Sequence, residues 1–186
     1  MTQITNAKIL IMATNGFEQS ELLVPRDKLR EAGAEVHVAT LDGKEIKGWD
    51  ETDWGETVPA DARIADLNSA NYDAIVLPGG QINPDLLRVE DEAMTLLRAF
   101  YNEGKVVAAI CHAPWLLIEA GIAKGRKMTS YHSIRTDVEN AGAEWLNEAV
   151  IADKGLVTSR NPNDLDAFVA KIIEEIEEGT HLRAAA

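Results

Sequence analysis

Short apolar segments alternate with longer amphipathic ones along this chain, and this alternation constrains the fold more than any other feature. Runs with the composition of strands lie at residues 8–13, 35–40, 74–77, 106–110 and 156–159. Several of them are apolar almost throughout, which is typical of strands covered on both faces of a parallel sheet. The segments between them carry apolar residues at three- and four-residue spacing, as amphipathic helices do. This order predicts a doubly wound α/β sandwich with a mostly parallel sheet.

The length and charge of the chain limit its partners. With 186 residues and no internal repeat, low-complexity tract or linker, the sequence predicts a single domain over residues 1–186. It carries 31 acidic and 18 basic side chains, a formal net charge of −13. A surface this acidic repels phosphate, so tight nucleic-acid binding and anionic membranes are not expected. No apolar run is long enough for a secretory signal or a membrane span, and we expect a cytoplasmic protein.

Cys111 is the only cysteine, which excludes an intramolecular disulfide and a cysteine-cluster metal site. It follows the apolar run 106–110 and precedes Pro114, where a helical pattern starts, so it lies on a strand-to-helix turn like a nucleophile elbow. The N–H groups at the start of that helix favour a thiolate. The alternative is a cysteine that only fills core space. We favour the reactive interpretation because ligands of doubly wound sheets bind at the carboxyl ends of strands.

Two other predicted strands end in residues suited to the same chemistry. Glu18 follows the first strand, and its carboxyl could stay protonated beside a thiolate; alternatively it is a carboxylate stabilised by the next helix dipole. Gly79 and Gly80 follow the third strand and offer backbone N–H groups for an oxyanion hole. His112 adjoins Cys111 and could act as its base, or could only pack at the turn. None of the four histidines has metal-ligand spacing, so we expect no metal or other cofactor.

Six short motifs occur in an order typical of one known family. They are Asn15-Gly16-Phe17-Glu18 with Glu21-Leu22 following, Val76-Leu77-Pro78-Gly79-Gly80, Ala109-Ile110-Cys111-His112-Ala113-Pro114, Thr129-Ser130-Tyr131, Asn140-Ala141-Gly142-Ala143-Glu144-Trp145 and Ser159-Arg160-Asn161-Pro162. With these motifs the chain resembles the PfpI intracellular-protease family over about residues 8–178. That family belongs to the class I glutamine-amidotransferase-like superfamily, which also contains the parkinsonism-associated deglycase. The resemblance implies a flavodoxin-like three-layer sandwich with a nucleophile elbow.

The resemblance also implies roles for individual residues. Cys111 would be the nucleophile, Glu18 the acid that contacts its sulfur, and His112 the neighbouring base. Gly80 and His112 would donate backbone N–H groups to an oxyanion, with Gly79 beside them, and Tyr131 would line the pocket.

Asp85 matches a position from which relatives send an acid to the histidine of an adjacent subunit. This chain has Asp where those relatives have Glu, one residue further from the glycines. If the match holds, the complete site requires a homodimer or a higher homo-oligomer.

Three functions are compatible with these residues. The favoured one is a cysteine-dependent stress-response hydrolase of reactive carbonyls or glycated substrates, in which Cys111 adds to a small carbonyl to form a hemithioacetal. The second is ATP-independent peptide hydrolysis, which needs His112 held by an acid such as Asp85. The third is a redox-sensing or chaperone-like stress protein without catalysis.

Overall fold

The computed structural model describes residues 2–182 as a central sheet flanked by helices. The strands, in chain order, are β1 (Lys8–Met12), β2 (Phe17–Glu18), β3 (Glu35–Thr40), β4 (Ile46–Asp50), β5 (Asp53–Val58), β6 (Ala62–Arg63), β7 (Ala74–Leu77), β8 (Val106–Ile110), β9 (Lys127–Met128), β10 (Glu144–Trp145), β11 (Val150–Asp153) and β12 (Leu156–Ser159). The α-helices are α1 (Gln19–Glu31), α2 (Ile82–Leu87), α3 (Asp91–Asn102), α4 (Pro114–Glu119), α5 (Arg135–Asn140) and α6 (Leu165–Glu178).

The central sheet has seven strands in the order β11-β12-β8-β7-β1-β3-β6. Neighbouring strands are parallel except β11, which is antiparallel to β12. The five strands predicted from the sequence form its interior, and only the first differs, since it ends at Met12 rather than at Ala13. Numbered along the chain, these five have the spatial order 2-1-3-4-5 of flavodoxin-like folds. The predicted fold class is therefore confirmed.

Helices cover both faces of the sheet and bury separate apolar cores. Successive side chains of a strand point to opposite faces, so Ile9 and Ile11 of β1 join the core under α1 and α6, whereas Leu10 and Met12 join the other. That second core includes side chains of α2, α3, α4 and α5. Burial on both faces explains why the strands read as continuous apolar runs. Within the described residues, no helix combines the length and apolar character needed to cross a membrane.

Strands β4 and β5 form an antiparallel hairpin that is tied to the edge of the site rather than standing free in solvent. β4 pairs in parallel with β2, so that Phe17 lies opposite Gly48 and Glu18 opposite Trp49. Gly48 permits this contact because a Cβ there would lie 3.1 Å from the Phe17 ring. The hairpin is therefore held next to the residues that follow β1, at the carboxyl end of the sheet.

Candidate active site

Cys111 lies in the tight turn between β8 and α4, as the sequence predicts. Its φ of 63° is in the left-handed region, which costs a residue with a Cβ about 1–2 kcal/mol. The backbone on both sides holds this conformation, because Cys111 N–H donates to the Ser159 carbonyl at 3.1 Å and the Cys111 carbonyl accepts from Tyr131 N–H at 2.8 Å. A strained, hydrogen-bonded cysteine at a strand end is the geometry of a nucleophile elbow.

A cavity of about 460 Å³ opens onto this turn. It is lined by Gly16, Glu18, Glu21, Trp49, Glu51, Gly80, Gln81, Ile82, Cys111, His112, Tyr131 and Pro162. Five of the residues predicted for the site are among them, and they come from β2, from the residues after β7 and β8 and from the segment after β9. The parallel sheet thus brings these distant segments of the chain to one edge.

Gly79 and Gly80 let the loop after β7 approach the cysteine closely. A Cβ on Gly79 would lie 2.7 Å from the Cys111 Cβ, and one on Gly80 would lie 2.6 Å from the Gly16 carbonyl oxygen. Gly80 also has a φ of 80°, which favours glycine. The backbone N–H groups of Gly80 and His112 bond to the Cys111 sulfur and act to lower its pKa. These N–H groups form a concave donor pair of the kind that stabilises an oxyanion.

The acid beside the sulfur is Glu21, which corrects the expectation that Glu18 contacts it. Glu21 is fully buried, its Oε2 accepts from the Gly79 N–H at 2.9 Å, and its carboxyl hydrogen-bonds with the Cys111 thiol. Glu18 lies immediately before α1 and accepts at Oε1 from the Ser20 hydroxyl at 3.2 Å. Glu18 precedes the helix and has an extended backbone, whereas Glu21 lies in the first turn of α1 on its buried face, so the Glu21 carboxyl and not that of Glu18 is directed at the sulfur.

Burial and neighbouring charge decide the protonation of Glu21. Burial, with the charge of Glu18 adding to it, raises the pKa of Glu21 to about 8. Its Oε1 has no hydrogen-bond partner among residues 2–182, which is least costly when the carboxyl is neutral. Burial and the charge of an ionised Glu21 also raise the pKa of the Cys111 thiol. A protonated Glu21 removes that charge and can donate a hydrogen bond to the sulfur, so it lowers the cost of forming a thiolate there.

His112 is positioned on both of its ring nitrogens. Nδ1 lies 3.2 Å from the Cys111 sulfur and Nε2 lies 3.2 Å from the Ser133 hydroxyl oxygen. Its ring stacks on that of Tyr131, with centroids 4.9 Å apart. Burial, with the charge of His132 adding to it, lowers the pKa of His112 and favours the neutral ring. A neutral imidazole next to the sulfur can accept the thiol proton.

Ser133 is a positioning residue that the sequence reasoning did not identify. We expect Ser133→Ala to lower kcat/KM on a carbonyl substrate about 3–10-fold, because the ring would lose the bond that holds it toward the sulfur. Ser133→Thr, which keeps the hydroxyl, should restore most of the activity. A pH–rate profile checks the role, since the apparent pKa of the base should move in the Ala variant. An unchanged rate and profile would contradict it.

Asp85 lies outside this constellation. It is on α2, its side chain is exposed, and its carboxylate is 4.0 Å from the Arg88 guanidinium. It does not line the cavity, and the far nitrogen of His112 is occupied by Ser133. Within one copy of residues 2–182, therefore, no contact joins Asp85 to His112. A contact from a second copy stays a prediction.

Two further residues escaped the sequence reasoning. Asn83 is fully buried, and its side chain accepts from Thr14 N–H and donates to the Pro78 and Gly79 carbonyls, so it fixes the glycine loop. Trp49 lines the cavity from strand β4, which is not one of the strands predicted from the sequence. No sequence signal distinguishes either residue, because their roles depend on loops that meet only in the folded chain.

Within residues 2–182, the one cluster with metal-ligating atoms close together is Glu175, Glu178 and His181, near the end of α6. None of them lines the cavity at Cys111. Glu175 already accepts from the Gly155 N–H at 3.0 Å, and its carboxylate lies 3.4 Å from His181 Nε2. These contacts tie the residues after α6 to the sheet.

Several known proteins are similar to this chain in sequence and in fold. The chain is 41% identical to a deglycase of Thermococcus kodakarensis over 167 residues, covering 90% of this chain and 98% of the relative. It is 46% identical to protein/nucleic acid deglycase 2 of Escherichia coli over 164 residues, covering 87% and 92%. The structure of Drosophila melanogaster DJ-1beta superposes with a TM-score of 0.82 at 31% identity, covering 96% and 95%. The DJ-1/PfpI family profile matches residues 7–175, and the chain therefore belongs to the DJ-1/PfpI family.

Proposed function

We propose that this chain is a cysteine-dependent hydrolase that acts on reactive carbonyls and on the adducts they form with amines and thiols. The observation that carries the proposal is the Cys111 elbow, with the Glu21 carboxyl and the Gly80 and His112 N–H groups around one sulfur. The family relatives named as deglycases support the same substrate class. The functional groups that the reaction needs are all side chains or backbone groups of this chain.

A 2-oxoaldehyde such as methylglyoxal illustrates the steps. The Cys111 sulfur bonds to the aldehyde carbon while His112 accepts the thiol proton, and the new alkoxide oxygen takes a proton from Glu21 to give a hemithioacetal. The former aldehyde carbon then loses its hydrogen as a proton, and the neighbouring carbonyl carbon gains one, which leaves a thioester of lactate. Water cleaves the thioester and frees the sulfur. One carbon is oxidised as its neighbour is reduced, so one methylglyoxal and one water give one lactate.

A glycated amine follows the same path with one extra bond cleavage. The carbon attached to nitrogen bonds to the sulfur, the carbon–nitrogen bond breaks, and the amine leaves with a proton. The remaining two- or three-carbon unit is released as glycolate or lactate. The substrate therefore supplies both the carbon unit and the leaving group, and water supplies the oxygen.

The experiment that tests the proposal measures products and not only substrate loss. Purified protein is incubated with methylglyoxal, and lactate is quantified by chromatography, with the Cys111→Ala protein as the control because trapping by other nucleophiles also consumes methylglyoxal. We expect stoichiometric lactate with wild-type protein alone. Equal lactate from both proteins, or none from either, would contradict the proposal.

The Asp85→Ala variant distinguishes peptide hydrolysis from carbonyl chemistry. We expect Asp85→Ala to change kcat/KM on methylglyoxal less than twofold, because the exposed carboxylate contacts no group at the cavity of its own copy. A shared histidine–acid pair between copies would instead make the variant lose roughly tenfold or more. The same protein assayed with fluorogenic peptides and by sedimentation tests both the peptidase alternative and the homo-oligomer. The cytoplasmic location likewise stays a prediction.

A further inference from the structure

Part of the wall of the cavity that contains Cys111 is acidic and aromatic. Glu18 and Glu51 line the cavity together with the Trp49 ring, and Tyr131 lies at the cysteine side. Burial, with the negative charges of Asp50 and Glu51 adding to it, raises the pKa of Glu18. The salt bridges within residues 2–182 do not include Glu18, Asp50 or Glu51. Three carboxylates without an ion-pair partner among the described residues give this part of the cavity a negative potential.

The hairpin holds these groups in place. Asn15 Oδ1 accepts from the Lys47 N–H, and the Lys47 carbonyl accepts from the Gly16 N–H, both at 2.8 Å. The Trp49 indole N–H donates to the Glu51 carbonyl at 3.0 Å, and this bond fixes the turn in which Glu51 has a φ of 52°. The Trp49 ring packs edge-on against Trp54, with centroids 5.5 Å apart. The wall is thus a fixed surface next to the site.

A separate observation shows that this cavity is built for a polar ligand. Glu21 is fully buried and lines the cavity, and its Oε1 lacks a hydrogen-bond partner among residues 2–182. A buried carboxyl oxygen without a partner costs stability unless a bound group satisfies it. The cavity therefore combines a nucleophile, an unsatisfied acid and an anionic aromatic wall.

We infer that Glu51, Glu18 and Trp49 form a cation subsite that selects carbonyl adducts carried on positively charged groups, such as lysyl or arginyl side chains, over adducts that carry phosphate. The inference rests on the proposed function for its substrate class, because the subsite lies beside Cys111 in the same cavity. A cation gains from the carboxylates and from the indole face, whereas a phosphate is repelled by the same groups. We name this group of three residues the cation subsite.

Labelling of Cys111 tests the subsite without requiring turnover, since the chain has one cysteine. The probes are a methanethiosulfonate that carries trimethylammonium and one that carries sulfonate. Each reacts with the thiolate to form a mixed disulfide and releases methanesulfinate. The rate with each probe is divided by its rate with free 2-mercaptoethanol, which removes the difference in intrinsic reactivity.

We expect the normalised rate with the cationic probe to exceed that with the anionic probe about tenfold or more at low salt. Glu51→Gln and Trp49→Leu should each reduce this ratio about threefold, and added salt should reduce it as well. Glu45→Gln is the matched control, because it removes the same charge from an exposed position that does not line the cavity. Its ratio should equal that of the wild type.

Three results would overturn the subsite: a normalised ratio near one, an equal fall in the Glu45→Gln and Glu51→Gln proteins, or no labelling by either probe. The last would mean that ligands of this size do not enter the cavity. Inhibition of methylglyoxal turnover by Nα-acetyl-Nε-trimethyl-lysinamide, whose quaternary nitrogen cannot trap methylglyoxal, compared with the uncharged Nε-acetyl derivative, provides a second readout. A wild type that is selectively labelled but produces no lactate would refute the proposed function and leave the subsite standing.

Discussion

Replacing Cys111 by serine should reduce kcat/KM for lactate formation from methylglyoxal by at least about 10³-fold. A hydroxyl at this position is a far weaker nucleophile than a thiol, because almost none of it is ionised at neutral pH. His112 and the N–H groups would remain, so the loss should appear in kcat and not only in KM. Initial rates over a range of substrate concentrations measure both constants. A serine protein with more than a tenth of wild-type activity would refute a nucleophilic cysteine.

A pair of further variants separates loss of the nucleophile from loss of the fold. Cys111 has a φ of 63°, so Cys111→Gly relieves left-handed strain that Cys111→Ala retains. We expect both to be inactive and the glycine protein to be about 1 kcal/mol more stable than the alanine protein. Urea unfolding measures this difference. An alanine protein that is the more stable of the two would show that the turn holds no strain.

Glu21→Gln should lower kcat/KM about 10²-fold to 10⁴-fold. Glutamine fills the same space and can still accept from the Gly79 N–H, but it cannot give a proton to the alkoxide. Glu18→Gln, three residues away and bonded to Ser20 rather than to the sulfur, is the matched control. It should lose much less activity toward neutral methylglyoxal. A larger loss of kcat/KM in Glu18→Gln than in Glu21→Gln would show that Glu18 is the acid and would contradict this assignment.

We also expect Glu21→Gln to change how the free energy of unfolding depends on pH. Because the pKa of Glu21 rises from 4.5 to about 8 on folding, the native state holds a proton that the unfolded chain releases between those values. The stabilisation from this group is complete below pH 4.5 and disappears as the pH rises through 8, with a slope approaching about 1.4 kcal/mol per pH unit. Glu21→Gln should flatten the fall in unfolding free energy between pH 5 and 8. Equal slopes in denaturant titrations of the two proteins would contradict a protonated Glu21.

The candidate site was partly predictable from sequence, and the errors have physical causes. Cys111, His112 and the two glycines follow strands, and a parallel sheet brings its strand ends together whatever the loops do. The sequence did not identify Glu21 as the acid at the sulfur, although Glu21, Pro25 and Leu29 are four residues apart and lie on the buried face of α1. An acid at an apolar-face position was the signal that favoured it over Glu18.

Contacts between loops could not be predicted from the sequence. The Ser133 hydroxyl meets the His112 ring only because the segment after β9 folds back over the elbow, and Asn83 fixes the glycine loop through three hydrogen bonds. Trp49 and Glu51 reach the cavity because β4 pairs with the two-residue strand β2. Loop contacts of this kind leave no periodic pattern, since they depend on the distance between segments and not on the spacing within one.

The sequence by itself determined the strand order class, the position of Cys111 at a strand end and the family, because hydrophobic periodicity and short motifs are local properties of the chain. The tertiary structure alone decided which acid contacts the sulfur, what holds the second nitrogen of His112 and which hairpin lines the cavity. Each of these depends on the direction of one side chain in three dimensions. Glu18 and Glu21 are only three residues apart, yet the one that precedes α1 bonds to Ser20 and the one inside its first turn bonds to the nucleophile.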